Sequence, residues 1–301
     1  MITKPRMILC PVDFSDCSRR ALDHALGLAR CYGSKVTALH VIPAVGALTP
    51  APYPGAIVQP IPAAVERDMV AALIHRMVDA EQVPGVSVDV LVTESPGVHG
   101  EILAQAARLG ADLIVIGTHG RRALERLFLG STAELVLRNA SCPVVTVPLT
   151  APDAMPRGPA PFGRIVCAID FSPSSELGLR HAISLARESK GTLALVHAIE
   201  VLPLYYDFSP PAVVDVDAWR QQAMLRLRGM VPDDLRASCD VCEVVMHKKA
   251  YQGILELAGT MKADLIVIGI QGRGAMDRFF FGSTANHVVR QAGCAVMTVR
   301  A

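Results

Sequence analysis

Short apolar runs alternate along the chain with longer segments in which apolar residues recur every three or four positions. In the first half, runs rich in β-branched residues predict five strands, at 7–12, 35–42, 86–92, 112–117 and 143–147. A helical stripe is formed by Ala21, Leu22, Ala25, Leu26 and Ala29 and ends near Gly33. Further helices are predicted at 63–82, at 98–109 and from Ser131 onward. This alternation indicates a parallel sheet covered by helices on both faces.

The second half repeats the first. The segment ILCPVDFSDCSRRALDHALGLA at 8–29 corresponds to IVCAIDFSPSSELGLRHAISLA at 165–186, and ADLIVIG occurs at both 111–117 and 263–269. In the second copy, Pro173 occupies a position that suits the first turn of a helix. We therefore expect one domain at 1–148 and a second at 163–301, joined by a semi-rigid, proline-rich linker at 149–162.

Composition excludes several classes of protein. The 301 residues carry a formal net charge of +1, with 19% charged and 51% hydrophobic residues, so the chain is neither disordered nor an evident polyanion binder, and no nucleic-acid partner is expected. The charge-free stretch that includes 43–62 holds six prolines, which predicts a long mobile loop and no membrane helix. No signal peptide is recognised at the start, so we expect a cytoplasmic protein.

The cysteines and most histidines are interpreted as structural. Buried, reduced thiols are expected at four matching positions in apolar, strand-like runs, namely Cys10, Cys142, Cys167 and Cys294. Cys239-x-x-Cys242, with His247 nearby, has the spacing of a metal or redox pair, but residues three apart on a strand point to opposite faces. Packed, hydrogen-bonded imidazoles are expected at His24, His181, His40 and His197.

Two glycine-rich segments carry the main chemical signal. GTHGRRALERLFLGS begins at Gly117, directly after a buried strand, and GIQGRGAMDRFFFGS repeats the spacing from Gly269. Without a Cβ, Gly117 and Gly120 would let a ligand approach the backbone. Gly130-Ser131-Thr132 then opens a helix, whose unpaired N–H groups and positive dipole end favour an anion. Phosphate is the natural candidate.

Asp13 and its counterpart Asp170 follow the first strand of each copy. In an open, doubly wound sheet, ligands bind beyond the carboxyl ends of the strands where the strand order reverses. If the first strand lies beside the fourth, Pro11-Val12-Asp13 faces the Gly117 loop. The aspartate would then lie near a ribose or a metal-bound phosphate; the alternative is that it caps the first helix.

These motifs resemble the ATP-binding subgroup of the universal stress protein family. G-x2-G-x9-G-S after DLIVIG, with PVDFS at the end of the first strand, covers both halves, so the chain resembles a tandem member of that family. The resemblance implies two Rossmann-like α/β domains, each a five-stranded parallel sheet in the order 3-2-1-4-5 flanked by four helices, with ATP, with or without Mg²⁺, at each crevice.

The resemblance also implies the site residues. In the first copy, those near the adenosine are Pro11, Val12, Asp13 and Val41, those at the ribose and phosphate entry are Gly117, His119 and Gly120, and those at the phosphates are Gly130, Ser131 and Thr132. The matching positions of the second copy are Ala168, Ile169, Asp170 and Ala198, then Gly269, Gly272, Gly282, Ser283 and Thr284.

The two copies differ at a few of these positions. Thr118-His119 becomes Ile270-Gln271, and Lys249 stands where the first copy has Gly97, a glycine typical of the family. Because Gln271 replaces His119, the backbone of that residue is expected to matter more than its ring. Arg126 and Arg278 either neutralise phosphate or lie on an exposed surface. Both copies are expected to bind nucleotide, the second less securely.

Two functions remain open at this stage. The first is a nucleotide-responsive stress regulator in which ATP orders loops such as 43–62 and alters the surface offered to an unknown protein partner. The second is a slow ATPase or phosphotransferase, for which neither a repeated lysine at the phosphates nor a base other than Asp13 is evident. Adenylation of the related pyrophosphatase type would need a glycine-rich loop that DFSDCS and DFSPSS lack.

Pairing of CPVVTVP with CAVMTVR, the last strands of the two copies, would join the halves internally, and a further homodimer is left open.

Overall fold

The computed structural model describes residues 4–44, 63–80, 85–120, 129–152, 162–200, 215–271 and 281–301. The chain divides into two compact units. The N-terminal unit contains the described residues up to Leu149, and the C-terminal unit contains 150–152 and those from Phe162 to the end. The predicted loop at 43–62 lies almost wholly outside the described residues, as does most of the predicted linker. Phe162, expected as the last linker residue, is fully buried.

The N-terminal unit alternates five strands with four helices over its described residues. The strands are β1 (Met7–Pro11), β2 (Lys35–Pro43), β3 (Ser87–Ser95), β4 (Leu113–Gly117) and β5 (Val144–Val147). The helices are α1 (Asp16–Tyr32), α2 (Ala63–Ala80), α3 (Val98–Leu109) and α4 (Ser131–Asn139). The strands pair in parallel in the order β3-β2-β1-β4-β5, which confirms the expected topology.

The C-terminal unit has the same order. Its strands are β6 (Arg164–Ala168), β7 (Thr192–Ala198), β8 (Asp240–Met246), β9 (Leu265–Gly269) and β10 (Ala295–Val299), paired in parallel as β8-β7-β6-β9-β10. The helices are α5 (Pro173–Ser189), α6 (Val216–Gly229), α7 (Asp233–Arg236), α8 (Ala250–Met261) and α9 (Ser283–Gln291). The expectation of four helices was therefore wrong for this unit, because α7 adds a single turn after Pro232 that is too short to show a helical period.

Helix α1 shows how the sequence determines a local element. Its predicted apolar stripe is at most 1% exposed and packs on the sheet. Ser15 caps its first turn by accepting a hydrogen bond from the N–H of Ser18, and Gly33 ends it in the left-handed region at φ 68°. The equivalent helix α5 is capped by Ser172, and Pro173 occupies its first turn as expected.

The cores of both sheets are apolar on two faces. The central strands β1, β4, β6 and β9 have interior positions that are almost all fully buried, such as Leu9, Val115, Cys167 and Val267. Strands buried in this way carry no alternation of polar residues, which explains the uninterrupted DLIVI runs. Among the described residues, no helix is long and apolar enough to cross a bilayer.

Candidate functional site

The carboxyl ends of β1 and β4 lie side by side in the N-terminal unit. Ile8 pairs with Leu113 and Leu9 pairs with Ile114, so the residues after both strands emerge at the same edge of the sheet. A methyl group built on Gly120 would lie 2.7 Å from Oδ2 of Asp13. The expected juxtaposition of Asp13 with the glycine loop is therefore confirmed.

Asp13 does not cap helix α1 itself. Its Oδ1 accepts hydrogen bonds from the N–H of Ser15 at 3.0 Å and from Oγ of Ser15 at 2.5 Å. The Oγ of Ser15 in turn accepts from the N–H of Ser18 at 3.2 Å. The alternative that Asp13 caps the helix was thus wrong. The oxygen that caps the helix belongs to Ser15, two residues later, and Asp13 accepts hydrogen bonds from that serine.

The same hydroxyl reaches the glycine loop. Oγ of Ser15 lies 3.3 Å from the carbonyl oxygen of His119, so one side chain contacts the end of β1, the start of α1 and the loop after β4. We call the set Asp13, Ser15 and the His119 carbonyl the N-terminal latch. Sequence reasoning missed Ser15, although the repeated DFS at 13–15 and 170–172 would have identified it.

The C-terminal unit contains the same arrangement, the C-terminal latch of Asp170, Ser172 and the Gln271 carbonyl. Oδ1 of Asp170 accepts from the N–H of Ser172 at 3.0 Å and from its Oγ at 2.6 Å. Oγ of Ser172 lies 3.2 Å from the carbonyl oxygen of Gln271. Since glutamine replaces histidine here without loss of the contact, the loop residue takes part through its backbone.

The glycine that ends β4 has a different role from the one expected. A Cβ on Gly117 would lie 2.8 Å from the backbone carbon of Cys17 in helix α1, and a Cβ on Gly269 would lie 2.8 Å from the backbone nitrogen of Ser175 in α5. The lack of a Cβ on Gly117 and Gly269 thus has a reason that the sequence did not show, since it lets a helix pack against the end of a strand; the expected place of these glycines at the ligand's entry stays a prediction.

Gly130 brings the start of α4 against the glycine loop. Its N–H donates to the carbonyl oxygen of Thr118 at 2.8 Å, and a Cβ on it would lie 3.2 Å from that oxygen and 3.8 Å from the backbone nitrogen of Gly120. As the N-cap residue, it has no side chain to accept from the first-turn amides. The exposed Ser131 and half-buried Thr132 follow in that first turn.

The start of α9 repeats this geometry. The N–H of Gly282 donates to the carbonyl oxygen of Ile270 at 3.0 Å, and a Cβ on Gly282 would lie 3.1 Å from that oxygen. Ser283 is exposed and Thr284 half-buried, as in the first copy. Gly272, Arg126 and Arg278 lie outside the described residues.

A phenylalanine in an unusual conformation separates each aspartate from its serine. Phe14 has φ 63° and Phe171 has φ 62°, in the left-handed region that bulky residues rarely adopt. Each ring packs against a histidine near the carboxyl end of the second strand of its unit, with centroids 5.1 Å apart for Phe14 and His40 and 4.7 Å for Phe171 and His197. Sequence patterns gave no sign of this strain.

These histidines also bind the backbone at the end of the first strand. Nδ1 of His40 donates to the carbonyl oxygen of Val12 at 2.6 Å, and Nδ1 of His197 donates to that of Ile169 at 2.7 Å. Nδ1 of His24 likewise donates to a backbone oxygen of its own helix. The packed interpretation is confirmed for these three, while burial lowers the pKa of His181.

The residues expected around the adenosine are mostly buried. Pro11, Val12 and Val41 are buried in the N-terminal unit, and Ala168 and Ile169 in the other, whereas Ala198 is half-buried. Asp13 and Asp170 remain half-buried beside them.

All eight cysteines lie in described residues, and none of them forms a disulfide bond. Burial raises the pKa of the thiols of Cys10 and Cys167 well above its usual range, and that of Cys142 to about 11 and of Cys294 to about 12. Cys142 and Cys294 lie in turns just before β5 and β10, not inside those strands, and Cys142 is only half-buried.

The Cys239 and Cys242 pair has no metal-binding geometry. Cys239 is buried just before β8, where its Sγ donates to the carbonyl oxygen of Ala186, while Cys242 is exposed within that strand. Across the described ranges, no group of three or more His, Cys, Asp or Glu side chains is arranged to hold a metal ion.

Comparison with known proteins identifies the family. The model of the universal stress protein family matches residues 5–148 and again 161–300. A universal stress protein of Mycobacterium tuberculosis H37Rv is 30% identical over 210 residues, which span 67% of this chain but only 63% of that relative's length. The chain thus covers less than two thirds of that relative.

A solved structure of similar length has the same fold. The crystal structure of a universal stress protein from Archaeoglobus fulgidus superposes with a TM-score of 0.67 at 17% identity, covering 98% of each chain. The crystal structure of a universal stress protein in complex with cAMP matches 49% of this chain and 99% of its own, at 18% identity and a TM-score of 0.37. On its two family matches, the chain belongs to the universal stress protein family and carries the family's domain twice.

Proposed function

We propose that the chain binds adenine nucleotide, ATP above all, at the carboxyl edge of each sheet, and acts as a nucleotide-responsive stress regulator. One observation carries this proposal: the backbone nitrogen of Gly120 lies beside the glycine that opens helix α4. Backbone N–H groups of the glycine loop and of the first turn of α4 therefore lie close together in the crevice.

The electrostatics of that point favour an anion. The first N–H groups of a helix have no intrahelical partner, and the helix dipole places about half a positive charge there. A phosphate accepts hydrogen bonds from such groups without any cationic side chain. Gly130 and Gly282 let the helix start lie close to the loop, so that both sets of N–H groups can face one phosphate, because neither carries a Cβ.

The other end of the crevice suits the adenosine. The polar groups next to the buried Pro11-Val12 include the Asp13 carboxylate, the His40 imidazole and the backbone at the ends of β1 and β2. Main-chain donors and acceptors of this kind can recognise a base or a ribose at a topological switch point. If Mg²⁺ accompanies the nucleotide, Asp13 and Asp170 are the carboxylates beside its phosphates, and the cation would neutralise phosphate charge.

The geometry gives less support to rapid turnover. The Oδ1 of Asp13 accepts two hydrogen bonds from Ser15, and that of Asp170 accepts two from Ser172. These hydrogen bonds give Oδ1 of each aspartate a structural role as a positioned acceptor instead of that of a general base. Binding without fast hydrolysis is therefore the function that this arrangement supports best.

The proposal is tested first by nucleotide content and turnover. The purified full-length chain is quenched with acid, and released nucleotide is identified by chromatography; hydrolysis of added ATP with Mg²⁺ is timed separately. We expect adenine nucleotide to bind at up to two per chain, with turnover far slower than a typical enzyme's rate of about 10 per second. Rapid multiple turnover lost in an Asp13→Asn, Asp170→Asn double variant would instead identify an enzyme.

The location of the site is tested by filling the glycine positions. Calorimetric titration with ATP compares the wild type with a Gly130→Val, Gly282→Val double variant, in which the added side chains crowd the loop and the helix start. We expect ATP affinity to fall at least tenfold, the equivalent of losing one charge-assisted hydrogen bond of about 1.5 kcal/mol. The control is a Gly100→Ala, Gly259→Ala double variant, since a Cβ at either position meets no atom of the described residues within 4 Å. Unchanged ATP affinity in the valine variant would refute the site.

A further inference from the structure

The hydroxyl groups of Ser15 and Ser172 join three separate segments of each unit. We propose that both serines are positioning residues: each holds the carbonyl of the glycine loop toward the first helix, so that the next N–H group points into the crevice toward the phosphates. The inference rests on the proposed function. It assigns to these serines a role in the preference of that same site for ligands that carry phosphate groups.

The hydrogen bonds of Ser15 set the direction of the loop. Its Oγ accepts from the N–H of Ser18 and carries a single proton, which has two acceptors: Oδ1 of Asp13 at 2.5 Å and the carbonyl oxygen of His119 at 3.3 Å. The shorter contact gives the carboxylate the larger share of the proton. The weaker contact still fixes where the His119 carbonyl points, and the matching contact at Gln271 has nearly the same length, 3.2 Å.

Peptide geometry converts that direction into an anion site. In a planar trans peptide, the C=O of one residue and the N–H of the next point in opposite directions. Because the C=O of His119 points toward Ser15, the N–H of Gly120 points away from helix α1. The backbone nitrogen of Gly120 is the atom found 3.8 Å from a Cβ built on Gly130, at the start of α4. The latch therefore directs a loop N–H toward the helix terminus where a phosphate would lie.

A purely structural explanation makes a different prediction. Ser15 also caps α1, so its loss would lower stability even if it had no effect on the loop. A lost cap weakens ATP and adenosine binding equally or not at all, because a cap has no preference for ligand charge. Loss of a directed loop N–H weakens only ligands that carry phosphates.

The experiment compares ATP with adenosine on the full-length chain. We expect a Ser15→Ala, Ser172→Ala double variant to bind ATP about tenfold more weakly and adenosine within twofold of the wild type. Threonine keeps the hydroxyl and the cap, so Ser15→Thr in a Ser172→Ala chain should restore tight ATP binding at the N-terminal site. That design avoids adding a methyl group at Ser172, which is only 3% exposed.

The control is a variant that loses the N-terminal cap of a different helix. Asp215 caps α6 by accepting from the N–H of Ala218 at 2.9 Å. Asp215→Ala should lower the urea midpoint, as the serine variant does, and leave the affinities for ATP and adenosine unchanged.

The outcomes separate the two proposals. If the wild type binds ATP and the double alanine variant binds it equally well, or loses ATP and adenosine affinity to the same extent, the positioning role is overturned and the proposed function stands. If the wild type itself does not bind ATP, the proposed function is wrong and the inference falls with it.

Discussion

The two units keep the same backbone contacts while their side chains differ. His119 in one becomes Gln271 in the other, and Thr118 becomes Ile270, yet the serine-to-carbonyl distances are 3.3 and 3.2 Å. The bonds from Gly130 and Gly282 to the residue after the fourth strand are 2.8 and 3.0 Å. Each copy has the same glycines, one aspartate and one serine, and these residues fix the positions of main-chain groups at the carboxyl edge of the sheet. A site built from backbone tolerates such exchanges because its ligand would be recognised by N–H groups that every residue except proline carries.

The units differ more at the outer strands. Gly97 precedes α3 at φ −123°, and Lys249 occupies the same position before α8 at φ −57°. Neither conformation requires glycine. In the C-terminal unit, the carboxylate of Glu200 accepts from the N–H of Ala250 at 2.7 Å and thereby caps α8. The backbone at the start of α3 therefore does not need a glycine at position 97.

The strand-end glycines are expected to show the largest effect on stability. Gly117→Ala and Gly269→Ala each place a Cβ within 2.9 Å of helix backbone, which cannot move without shifting the helix. We expect each to lower the free energy of unfolding by about 3 kcal/mol, as measured by urea denaturation. Gly100→Ala, in open space on α3, should raise it by up to about 1 kcal/mol. A strand-end variant as stable as the wild type would show that Gly117 is not a packing position.

Gly120 is expected to affect binding more than folding. Among the described residues, a Cβ there meets only the carboxyl group of Asp13, the end of a side chain, so Gly120→Ala should move the carboxylate, loosen the N-terminal latch and leave the helix in place. We expect ATP affinity at that site to fall about tenfold, with less than about 1 kcal/mol lost in the free energy of unfolding. Titration in a Gly282→Val background isolates the N-terminal site. Loss of stability without loss of affinity would contradict this assignment.

The smallest expected effect concerns His181 in α5. Burial lowers its pKa in the folded protein below the usual 6.5, so the unfolded chain takes up a proton first as the solution is acidified. The contribution to stability is complete above pH 6.5 and is lost as the pH falls toward the folded pKa. His181→Gln should flatten the dependence of the urea midpoint on pH between about 6.5 and 5 relative to the wild type. An unchanged slope would show that this imidazole does not titrate differently on folding.

The sequence was sufficient for the regular elements because their signals are local. Each signal spans only a few residues. The apolar stripe marks α1, Gly33 marks the end of that helix, and Ser131 marks the start of α4. The duplication supplied a second copy of every signal. The single-turn helix α7 was missed because four residues cannot show a period of 3.6.

The candidate site was less predictable because its contacts join distant parts of the chain. A glycine after a strand is consistent with either a ligand or a packed helix, and only the 2.8 Å approach of Cys17 decides for Gly117. Asp13 and Ser15 are both good capping residues, and the left-handed Phe14 between them determines which one reaches the helix. The repeated DFS marks the serine, but it does not reveal the left-handed conformation of the phenylalanine before it.

The central claim is that backbone N–H groups of the loop and the helix start bind the phosphates. It is tested most directly by NMR, following the amide signals of Gly120, Ser131, Thr132 and Ser283 in the ¹⁵N-labelled chain during titration with ATP and then, in a fresh sample, with adenosine. We expect large, saturable shifts of these four signals with ATP and small ones with adenosine. If ATP binds while these signals stay in place, or adenosine moves them as far as ATP does, the phosphates are bound elsewhere and the claim is contradicted.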